Sequence, residues 1–377
     1  MPWKVEPVSE IRSAFVHQVL SLKTSVAEAC RKFHVSRKTG YKWLRRYGRD
    51  PQQPLVDRSR RPCLSPARTA ASLEDQILAI RSQFGWGPRK IHAYLVQRGL
   101  SLPSVRTLAN ILRRRGAITP SEPAESSPQR FEREAPHQLW QCDHKGPLEV
   151  ERRKVYPFSV LDDRSRFLLA LEPCLDLTMK TAFDVLWKTF GEFGLPEALL
   201  CDNAFSTTYT VPKTLSWFEA QLVRLGIRPL HGRPYHPQTQ GKVERLHGTL
   251  ERELWPRARR DCLEHFRSDL SDWRLQVYNS VRPHEALGDQ PPLTRFQPSP
   301  RPRPKDLPKV EYPSDAKLRK VSGAGDIRWR GYRILASHGL IGEHVRIEEN
   351  DYEIQVFYSW KKIRSIPLST LNRDKML

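Results

Sequence analysis

Residues 230–254 read LHGRPYHPQTQGKVERLHGTLEREL, a polar, proline-broken segment running into an apolar stripe at helical spacing, Val243, Leu246, Leu250 and Leu254. Such a stripe has to be covered by another element. Glu244 lies one residue, about 100° of helix rotation, off it, so its carboxylate stands at the edge of the packed face. Two earlier carboxylates close short apolar runs: Asp143 ends LWQCD and Asp202 ends ALLCD. Residues 138–143 and 197–202 read as buried strands of a largely parallel pair. In open α/β sheets the reactive crevice lies beyond the carboxyl ends of such strands. Three carboxylates crowded there would repel one another and raise each other's pKa unless cations sat between them. Oxygen ligands without an adjacent histidine cluster favour Mg²⁺ or Mn²⁺ over zinc.

The segments QCDHKGP, VLDDRSRF, LLCDNAFS, HGRPYHPQTQGKVERLHGTL and NSVRPHEALGDQPP follow one another in that order. Each alone says little, but the ordered set resembles the core of integrase-like DDE transposases of bacterial insertion sequences, in the retroviral integrase catalytic core superfamily. The resemblance covers residues 131–297. It implies a ribonuclease H-like core, with Asp143, Asp202 and Glu244 as the catalytic and metal-binding triad for two Mg²⁺ or Mn²⁺ ions. The chemistry implied is in-line displacement at phosphorus. One departure is the 41 residues between Asp202 and Glu244, longer than is usual in retroviral integrases, with the surplus placed around residues 209–213. Asp162 and Asp163 are rival ligands, but they fall between two runs that read as a hairpin, and the turn reading is preferred. His247, one helical turn after Glu244, is placed beside the site rather than among its ligands. Cys142 and Cys201 read as small apolar strand residues, since hard Mg²⁺ does not select thiolate.

A net charge of +21 points to a polyanionic partner. Residues 1–130 hold 24 Lys and Arg against 9 Asp and Glu, so most of the surplus lies there. Within residues 1–48, SVAEACRKFHVSRKTGYKWLRRYG reads as helix, turn and a second helix capped by Ser36, resembling the helix-turn-helix of many transposases. Ala27, Ala29, Cys30, Phe33, Val35 and Trp43 are the expected core, with Arg37, Lys38, Lys42, Arg45 and Arg46 facing DNA. Residues 49–71 read as a basic linker whose Arg58, Arg60 and Arg61 suit a minor groove. A second helical DNA-binding module is expected over 72–116, ending in Arg113, Arg114 and Arg115, and then a linker over 117–130. In the loop before Glu244, His236 and Lys242 are candidates for positioning DNA phosphates. A proline-rich linker is expected over 298–321, then a small β-barrel over 322–372 with Ile327 and Trp329 inward and Arg328 and Arg330 outward.

The expected whole is a multidomain α/β chain: a ribonuclease H-like catalytic core preceded by all-α helix-turn-helix modules and followed by a small β-barrel. The resemblance implies a DNA transposase that binds the terminal inverted repeats of an insertion sequence and catalyses metal-dependent strand cleavage and strand transfer into target DNA. Its partners would be double-stranded DNA and further copies of the chain. The alternatives are a non-catalytic, transposase-derived DNA-binding regulator and a nuclease that only hydrolyses. Loss of a triad carboxylate would signal the regulator, and all three carboxylates are present. Six cysteines without a CxxC pair indicate neither a disulfide framework nor a zinc finger and suit a reduced bacterial cytoplasm, at the nucleoid. No charged leader and no long apolar run appears, so neither secretion nor a membrane is expected.

Overall fold

The computed structural model describes residues 7–21, 24–57, 68–119, 132–202, 205, 214–232 and 241–370. Arg58, Arg60, Arg61, His236 and the segment 209–213 lie outside the described residues. The chain divides into two compact units, Met1–Arg68 and Thr69–Leu377.

The first unit packs three helices, α1 (Val8–Ser21), α2 (Val26–Lys32) and α3 (Arg37–Arg49). Ser25 and Ser36 cap α2 and α3, their hydroxyls accepting from Glu28 N at 3.3 Å and Thr39 N at 3.2 Å. Each such cap contributes about 1 kcal/mol. The core is Phe15, Val16, Ala29, Cys30, Trp43 and Leu55, with Phe33 and Val35 at its margin. Gly40 lets α3 approach its neighbours: a Cβ there would lie 2.6 Å from Cys30 Sγ and 2.9 Å from Phe15 Cζ.

The second unit begins with α4 (Ala71–Phe84), α5 (Pro88–Val96) and α6 (Val105–Arg114). A mixed sheet follows, built from β1 (Trp140–His144), β2 (Leu148–Val150), β3 (Arg153–Asp162), β4 (Leu168–Cys174), β5 (Ala198–Cys201) and β6 (Arg228–His231). Its order is β2-β3-β1-β5-β6, with β4 also on β3. The pairs β1–β3 and β3–β4 are antiparallel, whereas β1–β5 and β5–β6 are parallel. The parallel connections are crossed by α7 (Met179–Phe193), reached from β4, and α8 (Trp217–Arg224). Side chains alternate faces along a strand. Trp140, Cys142, Phe158, Val160, Leu199 and Cys201 therefore share one face, covered by α7 and α8 through Phe183, Leu186, Phe190, Phe218 and Leu222. Val155, Leu161 and Leu168 turn to the other, covered by α9 (Gly241–Glu253), α10 (Leu263–Asp272) and the π-helical turn Trp273–Asn279.

Two segments expected as separate modules are built into this unit. The cluster of Ile77, Trp86, Ile91, Leu108 and Ile111 takes in Val277 and Val281, which follow the sheet in sequence. A buried ion cluster adds to it: Glu253 on α9 accepts from Trp86 Nε1 at 3.0 Å, Lys90 Nζ at 2.7 Å and Arg282 Nε at 2.8 Å. Nor is the proline-rich stretch after residue 297 a free spacer. Arg301 donates to the carbonyls of Pro196, Leu225 and Gly226, and Phe296 and Leu307 pack on the core.

The carboxyl-terminal strands are β7 (Lys317–Lys320), β8 (Asp326–Trp329), β9 (Tyr332–Leu335), β10 (His344–Glu349), β11 (Glu353–Tyr358) and β12 (Lys361–Pro367). Ile327 and Trp329 are buried and Arg328 and Arg330 exposed, as the alternation requires. The expected barrel needs correction, because no closed sheet forms among the described residues: β12-β11-β10-β7 make one sheet and β8-β9 a separate hairpin. The ends of that hairpin spend their backbone groups elsewhere. Ser322 N bonds Asp326 O, and Ala336 N and Ser337 N both bond Gly325 O. Beyond β9, Ser337 Oγ donates to Leu215 O. The strands share a core with Leu215, Ala220 and Val223 at α8, so they are docked on the central sheet unit.

Candidate active site

Strand parity determines where Asp143 goes. Cys142 and Cys201 precede the two aspartates on neighbouring parallel strands, and their Sγ atoms lie 3.2 Å apart on the α7/α8 face. Asp143, one residue on within β1, turns to the opposite face, and Asp202 directly follows β5. That face is the one α9 covers. On α9, Val243, Leu246 and Leu250 are buried and Glu244 is exposed, one position off the stripe. The Asp143 carboxyl is pushed up to about 6, first by burial and then by the charge of Asp202, with Glu244 adding to it. Like charges within reach of one another act in this way.

The three do not form a compact ligand set: among the described residues, only Asp261, Cys262 and His265 have metal-ligating atoms all within 4.8 Å of one another. That exposed group is already used locally, since Cys262 caps α10 and His265 Nδ1 lies 2.6 Å from Asp261 Oδ2. The triad, by contrast, offers hard carboxylate oxygens with two of its members open to solvent. This donor set fits Mg²⁺ or Mn²⁺.

The surroundings hold Asp143 in place. Ser159, its partner on β3, donates to Asp143 O at 3.2 Å and lies 3.0 Å from His247 Nε2. His247 Nδ1 is 3.8 Å from Asp143 Oδ2. Burial pushes the His247 ring down to about 4, so it is neutral near pH 7. Glu251, further along α9, is tied to Lys145 at 2.7 Å.

Both rivals are fully engaged. Asp162 accepts from His137 N at 2.8 Å, Ser165 N at 2.7 Å and Ser165 Oγ at 2.6 Å, which is the turn role. Asp163 is buried and accepts from Arg133 N and Gln141 Nε2, both at 2.8 Å, and from Lys242 Nζ at 2.5 Å.

The last contact corrects the reading of Lys242 as a DNA contact, because its ammonium is drawn inward by a carboxylate with no exposure. Arg114 and Arg115 are likewise held within their own module, by Glu74 and by Asp75. Arg113, which is exposed, donates to Asn110 Oδ1 at 2.8 Å. On α3, Arg37, Lys38, Lys42 and Arg45 are exposed. Arg46 stacks over Trp43 at 4.8 Å and donates to Val56 O at 2.8 Å, so part of its role is structural. Lys38, Lys42, Arg45, Arg46 and Arg49 line one open groove.

The sequence reading missed the Glu253 cluster. Its signal was present: Glu253 falls on the α9 stripe three residues after Leu250, a charged residue where an apolar one belongs, and a buried charge of that kind needs partners.

Family models match the sheet-bearing part of the chain and the helices ahead of it. Residues 133–237 and 225–292 match models described as an integrase core domain. Residues 14–62 match a helix-turn-helix domain and 39–112 a homeodomain-like domain. The chain thus carries an integrase core domain, with a helix-turn-helix region ahead of that core. One curated relative, described as a transposase for insertion sequence element IS5376 of Geobacillus stearothermophilus, is 26% identical over 186 residues. The match spans 48% of this chain and 45% of the relative. A simian T-cell lymphotropic virus intasome chain is similar over 78% of this chain and 97% of its own, with 16% identity and a TM-score of 0.38. The HTLV-2 integrase catalytic core domain in complex with magnesium is similar over 44% of this chain and 99% of its own, at 15% identity and a TM-score of 0.33. No helix among the described residues is long and apolar enough to cross a membrane.

Proposed function

We propose that this protein is a DNA transposase that binds the inverted repeats at the ends of an insertion sequence, cleaves there and joins the exposed 3′-hydroxyls to target DNA. What supports the reading is that Asp143 lies on the sheet face α9 covers, where burial and then the charges of Asp202 and Glu244 raise its carboxyl. These residues would hold Mg²⁺ or Mn²⁺, which supplies charge neutralisation and polarises phosphoryl oxygens in displacement at phosphorus. The chain itself orients. Ser159 and His247 fix the end of β1 beside Asp143, and the Lys242–Asp163 pair fixes the start of α9 two residues before Glu244. In this reading the chain contributes positioning and charge rather than a covalent intermediate.

In this reading α3 presents Arg37, Lys38, Lys42 and Arg45 to DNA, and the carboxyl-terminal sheet contacts DNA backbone or a second copy of the chain. Two ends have to be joined in concert and one chain offers one triad, so the working assembly is at least a dimer. The test is incubation of the full chain with labelled DNA carrying the repeats that flank its reading frame. Joined products are expected in Mg²⁺ or Mn²⁺ but not in Ca²⁺, whose looser coordination tolerates binding without the tight geometry of displacement. Cut ends without joined products would make it a nuclease and contradict the reading.

A further inference from the structure

Two thiols lie directly behind the candidate site. Cys142 and Cys201 are each 1% exposed, on the α7/α8 face of the neighbouring strands β1 and β5, and Cys142 donates its S–H to Cys201 Sγ at 3.2 Å. The register explains the meeting. Trp140 pairs with Leu199 and Gln141 with Leu200, so one residue further on Cys142 comes opposite Cys201. Neighbouring strands run about 4.8 Å apart, inside the roughly 4.4–6.8 Å between Cα atoms that a disulfide spans. Both are free thiols, as are the other described cysteines, which are engaged elsewhere: Cys30 donates to Ser36 O, Cys174 donates to Glu172 O and Cys262 accepts from His265 N. The pair is covered yet close to an opening. The next residue of each strand, half-buried Asp143 and exposed Asp202, stands where the strand meets solvent. A small neutral oxidant therefore has a short path to the sulfurs as the strand ends open locally, and a bulky one does not.

We propose that Cys142 and Cys201 form an oxidation site for hydrogen peroxide, and that the disulfide made there switches displacement off. One sulfur attacks a peroxide oxygen and the O–O bond breaks; the sulfur keeps that oxygen as a sulfenic acid, and the thiol proton leaves with the other oxygen as water. The second sulfur then attacks the first, the S–S bond forms, the S–O bond breaks and a second water carries off the second thiol proton. The two thiols lose two electrons in all, and peroxide gains them. The new bond is shorter than the 3.2 Å contact it replaces, so it draws together the strand ends that carry Asp143 and lead into Asp202. Displacement depends on fixed geometry, and a misplacement of about 1 Å can cost about 100-fold. The disulfide stands on the thiol geometry alone, whereas the loss of displacement rests on the transposase reading.

The experiment treats the reduced full chain with hydrogen peroxide, blocks the remaining thiols with N-ethylmaleimide under denaturing conditions and maps the digested peptides by mass spectrometry. The same treated samples are assayed for joining of labelled end DNA, before and after dithiothreitol. A peptide pair linking Cys142 to Cys201 is expected, with joining down by about 100-fold and recovered on reduction. Cys142→Ala and Cys201→Ala each remove the link and should join ends equally well with and without peroxide. Cys262→Ala leaves the pair intact and should remain sensitive. The mapping is done on the wild type, so a variant that fails to fold does not shield the proposal. Absence of the Cys142–Cys201 link at peroxide levels that oxidise the partly exposed Cys262 overturns it. So does a linked protein that joins ends at full rate, or an equal loss of joining in Cys142→Ala and Cys201→Ala. A reduced wild type that joins no ends contradicts the transposase reading and with it the loss of displacement, while a Cys142–Cys201 link in that protein still supports the oxidation site. Normal joining without the link overturns the site alone.

Discussion

Two aspartates in this chain should respond in opposite ways to the same change. Asp163 is buried against Lys242, so Asp163→Asn takes the carboxylate away from a largely buried ammonium, which costs about 3 kcal/mol when one partner of a buried pair is removed. Asp143 is crowded by other carboxylates, so Asp143→Asn should stabilise the chain in metal-free buffer by about 1–2 kcal/mol, since each pKa unit corresponds to about 1.4 kcal/mol and the site is partly open to solvent. The folded chain holds the Asp143 proton up to about pH 6, whereas the unfolded chain releases it near pH 4. Stability should therefore fall as pH rises between those values, and Asp143→Asn should flatten that dependence. Denaturant unfolding of the two variants over a pH series checks both statements. A destabilised Asp143→Asn would mean that its carboxylate is held by partners rather than repelled by neighbours.

At the scale of elements, Gly40 and Glu253 make the sharpest tests. Helix propensity alone says that Gly40→Ala stabilises α3 by about 1 kcal/mol. The approach of Cys30 Sγ and Phe15 Cζ says that the added methyl is overpacked and costs about 1–3 kcal/mol. Thermal unfolding decides between the two, and a raised midpoint would contradict the helix packing described. Glu253→Gln leaves Arg282 and Lys90 without their carboxylate and should cost about 3–5 kcal/mol. Burial works to raise the Glu253 carboxyl, but Arg282 and Lys90 hold it below its ordinary value. Its contribution is thus complete at neutral pH and lost as pH falls through the lowered value. These elements also show what the sequence made legible. The stripe Val243, Leu246, Leu250 and the apolar runs before Asp143 and Asp202 are local patterns, and from them the sheet, α9 and the place of Glu244 could be read. The partners of Glu253, Asp163 and Asp143 lie far away in sequence, and Lys242 reads as a solvated loop cation until Asp163 is seen beneath it. The barrel failed for the same reason: alternation marks which residues face inward but carries no information about which strand edges pair.

For the whole molecule, the module boundaries suggested by proline and charge do not coincide with the units that share cores. Residues 71–118 and the strands after 317 are joined to the sheet through Val277, Val281 and Glu253 on one side and Leu215, Ala220 and Val223 on the other. Calorimetry of the full chain should therefore show one transition for 69–377, and Glu253→Gln should shift that transition and leave the one from residues 1–68 where it is. Separate melting of residues 71–118 would contradict the shared core. The central claim is that Asp143, Asp202 and Glu244 act as one set on DNA. The measurement that tests it most directly is strand transfer of a labelled end by Glu244→Gln, with DNA binding followed on the same samples. Gln keeps the shape of the side chain and the helix, so binding should survive, while joining should collapse as far as it does in the Asp143→Asn, Glu244→Gln double variant, because residues acting as a unit do not add. Substantial joining by Glu244→Gln, in a protein that binds the end normally, would contradict the account.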